Sequence, residues 1–108
     1  MNDINLVDMT DGARYSKNLN TLAQQLKVKE ILKLSSETDY SGFVDVDALL
    51  EDGRVWSYRY TYGSCSGCDE WESLELNDEA IVEAMKQGST FFNNLDQYKK
   101  FDEMRQGH

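Results

Sequence analysis

Two neighbouring stretches of the chain alternate apolar and polar residues with a period of two, as strands with one covered face do. From Gly42 to Leu50, Val44, Val46, Ala48 and Leu50 fall on one side, with Asp45 and Asp47 on the other. From Arg54 to Tyr62, Trp56, Tyr58, Tyr60 and Tyr62 share a side, with Val55, Ser57, Arg59 and Thr61 opposite. Asp52-Gly53 lies between them and is a strong hairpin signal. Parity decides the loop length. A two-residue loop sets Val46 beside Arg59 and Asp47 beside Tyr58, which mixes both faces. A three-residue loop, with Gly53 left-handed, pairs Leu50 with Arg54. Ala48, Val46 and Val44 then face Trp56, Tyr58 and Tyr60, and Asp45 meets Arg59 as an opposite-charge pair. A one-residue slip exchanges the faces, so the three-residue loop is predicted.

Other patterns flank this hairpin. Residues 1–14 show no clear period and read as a loosely attached arm, with Ile4, Leu6, Val7 and Met9 able to dock. Leu19, Leu22, Ala23 and Leu26 recur at helical spacing, which predicts a helix over Lys17–Lys27. Ser16, Asn18 and Asn20 are its candidate caps. Val28–Ser36 fits a helix or a strand. A strand is favoured, because an isolated hairpin is marginal and needs a neighbour. Trp71–Leu76 is a candidate short fourth strand or an extended connection. Asn77 is a good N-cap before Asp78 and Glu79, and Ile81, Ala84 and Met85 form an apolar stripe that ends at Gly88. Ser89 is read as the cap of a last helix whose buried face holds Phe91, Phe92, Leu95, Tyr98, Phe101 and Met104. The predicted fold is α+β: a small antiparallel sheet of three to four strands, with an N-terminal helix and two C-terminal helices packed on one face.

The 108 residues suffice for a single domain, spanning 1–108. No apolar run approaches the roughly 20 residues of a membrane span. The start, MNDINLVDMTDG, lacks the basic and apolar regions of a secretory signal, so the cytoplasm is the expected compartment. Thiols are normally reduced there. Net charge is −9. It is uneven: residues 69–108 carry ten acidic and four basic side chains. Such a surface repels phosphate backbones, which argues against direct nucleic-acid binding. It suits a partner protein with a basic surface, although the same charge also serves solubility.

Between the aromatic strand and the acidic segment lies Tyr62-Gly63-Ser64-Cys65-Ser66-Gly67-Cys68-Asp69. This stretch resembles a small uncharacterised protein family of bacteriophage genomes, in which an aromatic strand runs into a Y-G-S-C-S-G-C-D turn. The likeness covers roughly Gly42 to Glu72. It implies a phage-encoded protein acting in a bacterial cytoplasm, on a host or phage protein, and it carries no activity with it.

Cys65 and Cys68 can converge on one metal or close a local disulfide. A closed zinc site wants four ligands, and a second cysteine pair is absent. A homodimer would supply both cysteines twice, with zinc shared between subunits. A redox role wants a lowered thiol pKa, whereas Asp69, Glu70 and Glu72 raise it. The remaining reading is a tight turn whose small cysteines pack under Trp71. The aromatic stripe of the second strand suits base or sugar stacking, yet such a stripe is more often a covered sheet face. Asp45 and Asp47 are read as an ion-paired, solvated face rather than a paired-carboxylate site. His108 is the only histidine, so Ser-His and Cys-His catalysis lack their base.

These features predict a non-enzymatic interaction module with no required cofactor. Its partner-facing residues are Asp69, Glu70, Glu72, Glu75, Glu79 and Glu83. The alternative is a cysteine-based metal or redox module, with Cys65 and Cys68 as zinc ligands.

Overall fold

The computed structural model describes residues 4–10, 12–13, 15–37, 42–62 and 77–106. In chain order they form α1 (Leu6–Met9), α2 (Ser16–Gln25), β1 (Val28–Glu37), β2 (Gly42–Leu50), β3 (Val55–Tyr62), α3 (Asp78–Gln87), β4 (Thr90–Phe92) and α4 (Leu95–Gln106). The four strands make one antiparallel sheet in the order β1-β2-β3-β4. The α+β class is as expected. Among the described residues no helix is long and apolar enough to cross a membrane.

The β2–β3 hairpin has the register that parity demands. Ala48 pairs with Trp56, Val46 with Tyr58, Val44 with Tyr60 and Asp45 with Arg59. The Leu50 amide donates to the Arg54 carbonyl at 2.8 Å, closing a three-residue loop, and Gly53 sits at φ 94°. Asp52 Oδ1 accepts the Arg54 amide at 3.0 Å and pins the turn. The apolar side chains of both strands consequently fall on one face. Val44, Val46, Ala48, Leu50, Trp56, Tyr58 and Tyr60 are all buried there, against Leu19, Leu22 and Ala23 of α2 and Ile81, Val82 and Met85 of α3. Burial pushes the Tyr58 hydroxyl up to about 12.

β1 is a strand, and its ambiguous sequence has a physical cause. Its inward residues Val28, Ile31 and Leu34 are spaced by three, as on a helix. Register shifts between Val28 and Glu30, and again between Ile31 and Lys33, insert an extra residue each time. Each bulge resets the alternation, so all three side chains reach the same face.

The N-terminal segment docks through α1. Asn5 caps it, its Oδ1 accepting the Val7 and Asp8 amides, and Leu6 is 0% exposed within the core. None of the three candidates caps α2. Tyr15 occupies the cap position at φ 67° and its side chain does not cap the helix, while Asn20 Oδ1 instead accepts the Leu6 amide at 3.0 Å. Asn18 donates to Asp78 Oδ1 at 3.2 Å, tying α2 to α3. Asn77 does cap α3, accepting the Ala80 amide at 2.8 Å. Gly88 ends that helix in a right-handed conformation, φ −83°. Space rather than backbone freedom explains it, since a Cβ there would lie 3.3 Å from Tyr58 Cε1.

The C-terminal end departs from the sequence reading in four ways. Ser89 caps no helix; it accepts the Trp56 indole N–H at 2.8 Å and donates to the Met85 carbonyl at 2.7 Å. Phe91 and Phe92 belong to β4, opposite Trp56 and Val55. This is the fourth strand, while the segment Trp71–Leu76 lies outside the described residues. The last helix starts only at Leu95, capped by Asn94, whose Oδ1 accepts the Gln97 amide at 2.9 Å. That helix lies on the opposite face of the sheet from α2 and α3, so the C-terminal helices do not share a face. The reversal follows from β4: it points Phe91 to the core side and Phe92 outward, and α4 continues from the outward side.

Replacing Tyr58 by Ala removes a large buried ring from the middle of the core face and should cost about 3–5 kcal/mol. Urea unfolding should show a lower midpoint with an unchanged m-value. A loss below about 1 kcal/mol would mean that the ring is not packed there.

Candidate functional site

Of the acidic residues singled out in the sequence, Glu79 and Glu83 are placed by the structure. Asp69, Glu70, Glu72 and Glu75 lie outside the described residues, as do Cys65 and Cys68. Glu79 and Glu83 are four apart on α3 and therefore share a face, both exposed. With Asp78 they line one wall of an open groove of about 660 Å³ between α3 and α2. Lys17, Asn18, Thr21 and Gln25 line the other wall, with Val82 among the lining side chains. Asp78 and Glu79 also stand in the first turn of α3, where the helix dipole favours negative charge.

A second charged cluster lies on the outer face of the sheet, and here the sequence reading is corrected. Asp47 is not on a solvated face; it is 0% exposed. Its two carboxylate oxygens are both engaged. Oδ1 accepts from Ser57 Oγ at 2.6 Å. Oδ2 accepts from Tyr98 Oη at 2.7 Å and from Arg105 Nη2 at 2.9 Å. The same Arg105 nitrogen donates to Asp102 Oδ1 at 2.7 Å, and Lys33 Nζ donates to that carboxylate oxygen at 3.0 Å. The cluster thus joins β1, β2, β3 and α4. Burying a lone carboxylate is costly, and three donors, one of them a guanidinium, offset that cost.

Asp45, two residues earlier, is only partly covered. It pairs in register with Arg59, but the Arg59 guanidinium lies 4.9 Å from the Phe43 ring centroid, a cation–π contact. The expected ion pair is therefore replaced by a longer-range attraction. Desolvation, and then the negative charge of Asp47, raise the Asp45 pKa above its ordinary value. Asp102 is shifted the other way: hydrogen bonds from Arg105 and Lys33 hold it below the usual carboxylate range. Burial and the bond to Asp47 push Tyr98 far up.

The Asp47 carboxylate, with its oxygens committed to three donors, anchors α4 and does not stand free as a base or ligand. Among the described residues, no group of three or more His, Cys, Asp or Glu side chains could hold a metal ion. One signal of the cluster was readable in advance. Phe43, Leu49 and Val55 are apolar residues on the face that carries Asp45 and Asp47, and Tyr98 and Arg105 lie seven apart on one side of a helix. Compared with protein-family models, with curated proteins and with solved structures, the chain finds no match.

Asp47→Ala should cost about 2–4 kcal/mol, since it strands Tyr98 and Arg105. The range is set below that of a fully buried pair because Arg105, 33% exposed, can turn to water. Tyr98→Phe should cost about 1–2 kcal/mol. Equal unfolding midpoints for wild type and Asp47→Ala would refute the anchoring role.

Asp45→Asn tests the opposite sign. The raised pKa means that the folded state holds this proton more tightly than the unfolded chain. Stability from that group is complete below the unfolded pKa, about 3.9, and is lost as pH rises through the folded value. Asp45→Asn should therefore stabilise the fold at pH about 7, with the gain vanishing below about 3.9. Denaturant melts at the two pH values measure it, and a loss of stability at neutral pH would contradict it.

Proposed function

We propose that this chain is a non-enzymatic protein-binding module whose acidic helical face meets a basic surface on a partner. The observation behind this reading is the wall of Asp78, Glu79 and Glu83, along a groove wide enough to take side chains from another protein. The net charge of −9 would speed encounter with such a surface and disfavour nucleic acid. Asp69, Glu70, Glu72 and Glu75 precede α3 in the sequence and extend the same charge. The resemblance of the Cys65–Cys68 sequence to a phage family supports a host or phage protein as partner, bound in a bacterial cytoplasm. In that setting the module modulates a host factor by occupying a basic site.

The test compares wild type with the double variant Glu79→Gln, Glu83→Gln in captures from bacterial lysate, at about 0.05 M and about 0.5 M salt. A partner retained by wild type at low salt should be lost at high salt. The double variant should capture it with an association rate about tenfold lower or less. Its fold should be unchanged, because exposed charges away from special features contribute little to stability. Capture indifferent to both salt and substitution would mean that the acidic face serves only solubility.

A further inference from the structure

We propose that α4 is a charge-held strap, able to leave the sheet while the core stays closed. The core cluster draws on α1, α2, the sheet and α3, and among the described residues it contains no member from α4. Among the described residues the strap's own apolar hold centres on Phe92. Tyr98 is buried, with its ring 5.8 Å from that of Phe92. Phe101 also touches Phe92 but is 39% exposed, and Met104 is 74% exposed. Half of the helix, Asp96, Lys99, Lys100, Asp102, Glu103 and Arg105, is charged. The firm attachments are polar: Tyr98 and Arg105 to Asp47, and Asp102 to Lys33.

Release is less costly than the burial of Asp47 suggests. Asp47 is on the outer face, and two of its three donors come from the strap itself. When the strap departs, water replaces both donors, and the carboxylate is rehydrated rather than orphaned. Asn93 and Asn94 form the short joint between β4 and α4. In the docked state the charged groups around the Asp45–Asp47 pair are Lys33 from β1, opposite Asp47, Arg59 from β3, opposite Asp45, and Arg105 from α4, which also holds Asp102. Release uncovers Asp47, Ser57 and Val55 beside the half-open Asp45. A charge-held element should also loosen with added salt, which a hydrophobically held one does not.

Amide hydrogen exchange on the intact chain tests this. In wild type at low salt, the amides of Leu95–Gln106 should be protected, yet exchange faster than those of β2, β3 and α3. Arg105→Gln should speed α4 exchange about tenfold or more, with the sheet unchanged, and about 1 M salt should act in the same direction. Lys99→Gln alters a charge on the same helix outside the cluster and should change α4 little. The proposal is overturned if α4 exchanges only together with the sheet, or is unprotected in wild type. It is equally overturned if Arg105→Gln and salt have no effect, or if Lys99→Gln has the same effect as Arg105→Gln.

Discussion

Three residues, Glu51 to Gly53, reverse the chain between β2 and β3, and their number decides which side chains share a face. The side-chain period of a strand is two, so one residue more or fewer would carry Trp56, Tyr58 and Tyr60 to the side of Asp45 and Asp47. Everything else presumes this parity. The helices α2 and α3 have an apolar surface to cover only because the aromatic residues lie opposite Val44, Val46 and Ala48. Asp47 meets Ser57 only because both fall on the other side. A turn that needs a left-handed residue at one position, supplied by Gly53, thus sorts the sheet into an oily side and an ionic side.

The two sides are covered by different physics. On the inner side, large rings and branched aliphatics exclude water, and the few polar atoms there are satisfied locally, as the Trp56 indole is by Ser89. On the outer side, a single carboxylate gathers donors from β3 and α4. Hydrophobic contact is tolerant of small displacements, whereas hydrogen bonds to a carboxylate fix direction. The inner side supplies most of the cohesion and the outer side sets the angle at which the last helix lies.

How much of this was readable depended on whether the deciding interaction was local. The hairpin was legible because its alternation, its turn and its charge pair are all within one short stretch. β1 looked ambiguous because two bulges convert a strand into a three-residue spacing, and a bulge leaves no mark in composition. β4 was hidden because Phe91, Phe92 and Leu95 also fit the first turn of a helix; Asn94, followed by Gln97, was the better cap signal. Asp45 and Asp47 are indistinguishable by pattern. What separates them is the path of α4, which covers one and leaves the other half open. Glu79 and Glu83, named as part of an acidic run, fall on one face of α3 because they are four apart.

The same bulges give β1 a property that concerns neighbouring molecules rather than its own. Among the described strands β1 pairs only with β2, so its other side is an edge of the sheet. A straight edge presents amides and carbonyls at even spacing, and any second chain in extended form can zip onto it. Here Lys29 and Leu32 are the inserted residues, and each breaks that spacing. A strand from another copy would match the donors over one short run and then fall out of step. Lys29 and Lys33 add a cost for stripping water from charge along the same line. The irregularity that makes β1 hard to recognise also makes this edge a poor template for fibres.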